Sequence, residues 1–121
     1  MNTIIYQLAA VKDNCISLSR RNSKIYLSEI ILLEADINYT HIHLRNGEKI
    51  TTAKTLKVFE KILEKHHFYR IHRSFLINCK HLMSYDTKLG ELILTNNHRA
   101  IISRRKKDFF EYQIQHPLLS A

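Results

Sequence analysis

Two histidines, His41 and His43, stand two residues apart in a stretch that alternates polar and apolar positions. Side chains two apart on an extended strand project to the same side, so the pair has the geometry of a partial metal site. A zinc centre takes three or four ligands, and no carboxylate or cysteine stands at a spacing that marks it as the third. The pair therefore reads as the polar face of a strand, and no metal is expected. His66 and His67 are adjacent at the end of a helical pattern, where they complement the negative end of the helix dipole. The sequence has no glycine-rich phosphate loop, no G-x-S-x-G and no C-x-x-C. Enzymatic chemistry would have to rest on scattered histidines, so neither catalysis nor a cofactor is expected.

The other recurrent chemistry is cationic. Arg70, His72 and Arg73 fall in one short run, and Arg99, Arg104, Arg105, Lys106 and Lys107 gather near the start of a second helical pattern. Positive side chains at a helix start oppose its dipole. That cost is offset where exposed helix N–H groups and arginine forks receive an anion. The formal charge of +8 on 121 residues points to a polyanionic partner, but charge alone leaves DNA, RNA and an anionic membrane surface open. Hydrophobic residues make up 45% and charged residues 25%, the balance of a soluble globular domain. The apolar run at 4–11 is far too short to span a bilayer and lacks the flanks of a signal peptide. Cys15 and Cys79 are the only cysteines, which makes no disulfide framework and suits small thiols in a reducing cytoplasm.

These groups must be positioned by strands and two helices. Alternation begins at Cys15, turns at Arg20-Arg21-Asn22-Ser23, and resumes with Ile25 and Leu27. The continuous apolar run 30–33 predicts a strand buried on both faces. Asp36-Ile37-Asn38 breaks it, a strand over 39–44 follows, and Asn46-Gly47 predicts a hairpin returning through 48–52. Leu56, Phe59, Ile62 and Leu63 recur at helical spacing, predicting an amphipathic helix of about three turns over 55–67, capped by Thr55 or Thr52. Strand character returns over 68–78, then at 82–85, 92–95 and 100–102, with turns at 86–90 and at Asn96-Asn97. A second helix is expected with Ser103 as its N-cap, Phe109, Phe110 and Ile114 on its buried side, and Pro117 limiting its length. The fold class is mainly β with α: one domain over 13–116, an N-terminal extension over 1–12 and a tail over 117–121.

Strands flank the first helix on both sides, so a helix-turn-helix does not fit. The order of segments instead resembles the LytTR DNA-binding domain family. The resemblance is carried by "EIILLEADINYTHIHLRNGEKI", "TLKVFEKIL", "FYRIHRSFLIN" and "ISRRKKDF", which together span about residues 25–112. It implies antiparallel sheets with a short central helix and a C-terminal helix, and sequence-specific binding of double-stranded DNA by loops that enter the major groove. It further implies a bacterial transcription regulator, cytoplasmic and nucleoid-associated, forming homodimers on paired sites and working with an upstream sensor or receiver. No receiver-type acidic site is present, so the chain is either a stand-alone regulator or an excised output domain.

By motif position, Asn38, Tyr39, Arg73 and Arg104 fall where the family touches bases. Arginine suits a guanine edge and asparagine an adenine. Lys54, Arg70, His72, Ser74, Arg105, Lys106 and Lys107 are expected on phosphates, which set register and affinity. The alternative is an RNA-binding or protein-interaction module on the same fold. The DNA reading requires the 70–73 and 104–107 clusters to be exposed side by side.

Overall fold

The computed structural model describes residues 11–18 and 23–116. Its ten strands and two α-helices run β1 (Cys15–Leu18), β2 (Ser23–Tyr26), β3 (Ile30–Asp36), β4 (Tyr39–Leu44), β5 (Lys49–Thr52), α1 (Leu56–Leu63), β6 (Phe68–His72), β7 (Phe75–Asn78), β8 (Leu82–Asp86), β9 (Glu91–Leu94), β10 (His98–Ile101) and α2 (Arg104–Gln115). The strands form three antiparallel sheets: a β1–β2 ribbon, a five-stranded sheet in the order β5-β4-β3-β7-β6, and a three-stranded sheet in the order β10-β9-β8. Among the described residues no helix is long and apolar enough to cross a membrane.

The apolar run at 30–33 has the two-sided burial its composition predicts, with all four residues buried. Ile30 and Leu33 join Phe59, Leu63, Ile42 and Leu76 in a core beneath α1 and the β1–β2 ribbon. Ile31 and Leu32 join Ile77, Ile71, Leu92 and Phe110 in a second core beneath the small sheet and α2. The five-stranded sheet is thus the middle layer. Strand β4 alternates as its sequence does, with Thr40, Ile42 and Leu44 buried between the more exposed Tyr39, His41 and His43. The Asn46-Gly47 hairpin forms, with Gly47 at φ +95°, in the left-handed region where glycine carries no penalty.

Three sequence expectations change. The run 68–78 is not one strand but a hairpin, β6 and β7, turning at Arg73-Ser74 with neither glycine nor proline. The first helix is shorter than 55–67: α1 ends at Leu63, a 3-10 turn covers Glu64–His66, and His67 stops the helix in a left-handed conformation at φ +68°. On α2, Phe110 is buried and Ile114 half-buried, but Phe109 is 61% exposed. Neighbouring helix positions lie about 100° apart, so only the i, i+4 pair can face the core. Thr55 and Ser103 occupy the two N-cap positions, yet neither side chain makes a capping hydrogen bond. Residues 1–10 of the expected 1–12 extension, 20–22 of the expected Arg20–Ser23 turn and the tail at 117–121 lie outside the described residues, and Ser23 opens β2.

A buried asparagine fixes the end of β7. Asn78 Nδ2 donates to the Leu27 and Ile30 carbonyls at 3.2 and 2.9 Å, and its Oδ1 accepts from the Lys80 N–H at 3.0 Å. Truncation would remove these bonds from a side chain only 2% exposed, leaving the Leu27 carbonyl with only the Ile30 N–H. Asn78→Ala should therefore lower stability by roughly 2–4 kcal/mol, measured by urea unfolding as a lower midpoint at unchanged slope.

Candidate nucleic-acid interface

The strand order carries the candidate residues to one end of the middle sheet. Asp36 pairs with Tyr39 across the Ile37-Asn38 turn, and His72 pairs with Phe75 across the Arg73-Ser74 turn. Strands β3 and β7 are neighbours, and the Ala35 N–H donates to the Ser74 carbonyl at 2.9 Å, so the two turns stand side by side. The same end receives the residues after β5, where Thr40 Oγ1 donates to the Lys54 carbonyl at 2.7 Å. It also receives the start of α2, where the Ser103 N–H donates to the Ile71 carbonyl at 2.8 Å. Asn38, Tyr39, Lys54, Arg73, Ser74, Arg104 and Arg105 are thereby gathered from four segments.

The Arg73-Ser74 turn is built by side chains. Arg70 Nε donates to the His72 carbonyl at 2.8 Å, its Nη2 to the Arg73 carbonyl at 2.6 Å, and its Nη1 to Glu60 Oε1 on α1 at 2.7 Å. The Ser74 N–H donates to His72 Nδ1 at 3.0 Å. Arg70 therefore has three of its five donors engaged within the protein. Its guanidinium holds the turn that presents Arg73, which is exposed. Beside the turn lies a groove of about 340 Å³ lined by Glu60, Arg70, His72, Arg73, Ser103, Arg105 and Lys106. Four of these seven, Arg70, Arg73, Arg105 and Lys106, carry a fixed positive charge. The glutamate among them is engaged by Arg70, which leaves the groove strongly positive.

The remaining candidates are placed individually. Arg104 is exposed at the first turn of α2, whose N-terminal N–H groups have no side-chain cap and no acidic neighbour in that turn. Such an end attracts anions. Lys107 Nζ donates to the Thr87 carbonyl at 2.6 Å, tethering α2 to the β8–β9 turn. Glu60's role opposite Arg70 was not visible in the sequence, because it depends on α1 packing against β6.

The histidine pair does share a strand face, but its partners are spoken for. His41 hydrogen-bonds Asp36 at 2.9 Å and Thr51 at 2.7 Å, and His43 bonds Glu34 at 3.0 Å. The His43 ring lies 4.7 Å from that of His98 across the two sheets. Among the described residues no group of three potential ligands is assembled for a metal. Cys15 and Cys79 are free thiols, and burial pushes the Cys79 thiol up.

Comparison with known proteins agrees with this architecture. The family model described as the LytTr DNA-binding domain matches residues 20–115. The chain is similar to the transcriptional regulatory protein LytR of Staphylococcus aureus, with 31% identity over 115 residues, covering 89% of this chain and 46% of that protein. It thus spans less than half the length of that relative. Among solved structures it is similar to the LytTr DNA-binding domain of a response regulator from Bacillus cereus, with a TM-score of 0.71 and 26% identity, covering 85% of this chain and 98% of the other.

Burial, and then the charges of Arg73 and Arg70, hold the His72 imidazole below its ordinary value near 6.5. The folded state therefore resists a proton that the unfolded chain accepts. The site's stability is fully present above about pH 6.5 and declines as the pH falls toward the depressed value. Protonation also removes the acceptor used by Ser74. The urea midpoint should fall between pH 7.5 and pH 5, and His72→Asn, which offers an oxygen acceptor in place of Nδ1, should show a smaller fall.

Proposed function

The chain belongs to the LytTR DNA-binding domain family, and from that footing we propose that it recognises specific double-stranded DNA sequences through the turns gathered at one end of its middle sheet, and so regulates transcription. The observation that carries the proposal is the pair of backbone links, Ala35 to Ser74 and Ser103 to Ile71, which puts the 37–39, 73–74 and 103–105 segments on one edge. Turns at the tips of hairpins are narrow enough to enter a major groove, which admits a two-stranded ribbon.

In this reading Arg73 and Arg104 each fork onto a guanine edge, Asn38 and Tyr39 meet bases from the neighbouring turn, and Lys54, His72, Ser74, Arg105, Lys106 and Lys107 supply phosphate contacts. Arg70 takes part by holding the Arg73 turn. The uncapped start of α2 adds a partial positive charge where a phosphate would lie. Two copies on paired sites would be the corresponding assembly, and control by a sensor or receiver partner belongs to the same proposal. The deep, narrow major groove of A-form RNA does not admit such turns, so the RNA-binding alternative predicts a different competitor.

Selection from a random pool of duplexes should recover a defined sequence. On that duplex Arg73→Ala should cost roughly 1–3 kcal/mol and relax preference at one base pair. Arg105→Ala should weaken all sequences alike and reduce the slope of log affinity against log salt by about 0.9. Arg73→Ala leaving affinity and preference untouched, or matched RNA competing as well as the duplex, would overturn the assignment.

A further inference from the structure

The tip of the β3–β4 hairpin is conformationally unusual. Ile37 is the first of its two turn residues, has φ +54°, and is 93% exposed. A β-branched residue in the left-handed region is strained, because its Cβ crowds the backbone. Asparagine tolerates that region far better, and Asn38 is the very next residue, yet it does not adopt a positive φ. The isoleucine also leaves its apolar side chain in water. Two penalties fall on one residue, and at 93% exposure no packing among the described residues offsets either.

The position of Ile37 shows where compensation would come from. It lies between Asp36 and Asn38 on the edge that also presents Tyr39, Arg73 and Arg104. The Ala35–Ser74 hydrogen bond holds its turn beside that of Arg73. An apolar side chain at the leading point of a hairpin meets one distinctive apolar group in a major groove, the thymine C5-methyl. The carboxylate next to it is occupied, since Asp36 Oδ2 accepts from His41 Nε2 at 2.9 Å.

We propose that Ile37 reads a thymine by packing against its 5-methyl group, so that the β3–β4 turn adds an apolar contact to the polar ones. This rests on the DNA-binding reading above. Ile37 is strained in the free protein, and its contact is made only with the duplex.

The test uses the duplex recovered by selection, with each thymine in turn replaced by deoxyuridine, which lacks only the methyl. Wild-type protein should lose about fourfold in affinity at one position, the worth of one methyl group taken out of water. Ile37→Val should keep that sensitivity. Ile37→Asn should abolish it while melting no lower than wild type, because asparagine suits the positive φ. Wild-type binding indifferent to deoxyuridine at every position overturns the inference, as does an Ile37→Asn variant with the full wild-type sensitivity. In either case, a loss on Arg73→Ala with the same duplex leaves the DNA-binding reading standing. If wild-type protein binds no duplex selectively, both fail together.

Discussion

Strand β3 sits at the centre of a sheet buried on both faces, and the whole arrangement follows from its two antiparallel neighbours. Pairing with β4 on one side and β7 on the other forces the β3–β4 and β6–β7 turns to the same end of the sheet. The register between β3 and β7 is pinned because Leu32 and Leu33 point into different cores. A slip of one residue would turn the faces of one strand against those of the other, so that Leu32 and Ile77, and Leu33 and Leu76, no longer shared a core. The hydrophobic pattern of 30–33 thus decides where Arg73 stands relative to Asn38, although those four residues are buried and both of these are exposed.

Rigidity at the exposed edge comes from side chains acting on backbone. Arg70 and His72 supply the hydrogen bonds of the Arg73-Ser74 turn, and Glu60 anchors Arg70 to α1. Near the edge Glu60 is ion-paired with Arg70, while Asp36 and Glu34 hydrogen-bond the His41 and His43 rings. The exposed Arg73, Arg104 and Arg105 and the start of α2 add the positive charge that a polyanion would meet there. The cost of holding like charges together is met by the two cores beneath, which give the edge its fixed shape.

Much of this was legible in the sequence, and the gaps have physical causes. The alternation of β4, the Asn46-Gly47 hairpin, the two-sided run at 30–33 and the amphipathic α1 are local signals, and each forms an element where its pattern lies. The β6–β7 turn was not legible because Arg70 and His72 replace the glycine or proline that usually marks one. The exposure of Phe109 was obscured by its buried neighbour Phe110. The site residues Asn38, Tyr39, Arg73 and Arg104 came from the family resemblance. Their convergence depends on the strand order β5-β4-β3-β7-β6, which long-range pairing sets and no short window contains. The conformation of Ile37 was hidden because the adjacent Asn38 is the residue expected to take a positive φ.

The central claim is that one end of the middle sheet is the face that meets DNA. Titrating isotopically labelled protein with its selected duplex and following backbone amide resonances tests this most directly. The largest shifts are predicted at 37–39, 73–74 and 103–105, with little change at the opposite end around 45–48, 65–67 and 80. Shifts concentrated at that opposite end, where Arg45, Lys65 and Lys80 offer a rival set of cations, would contradict the account.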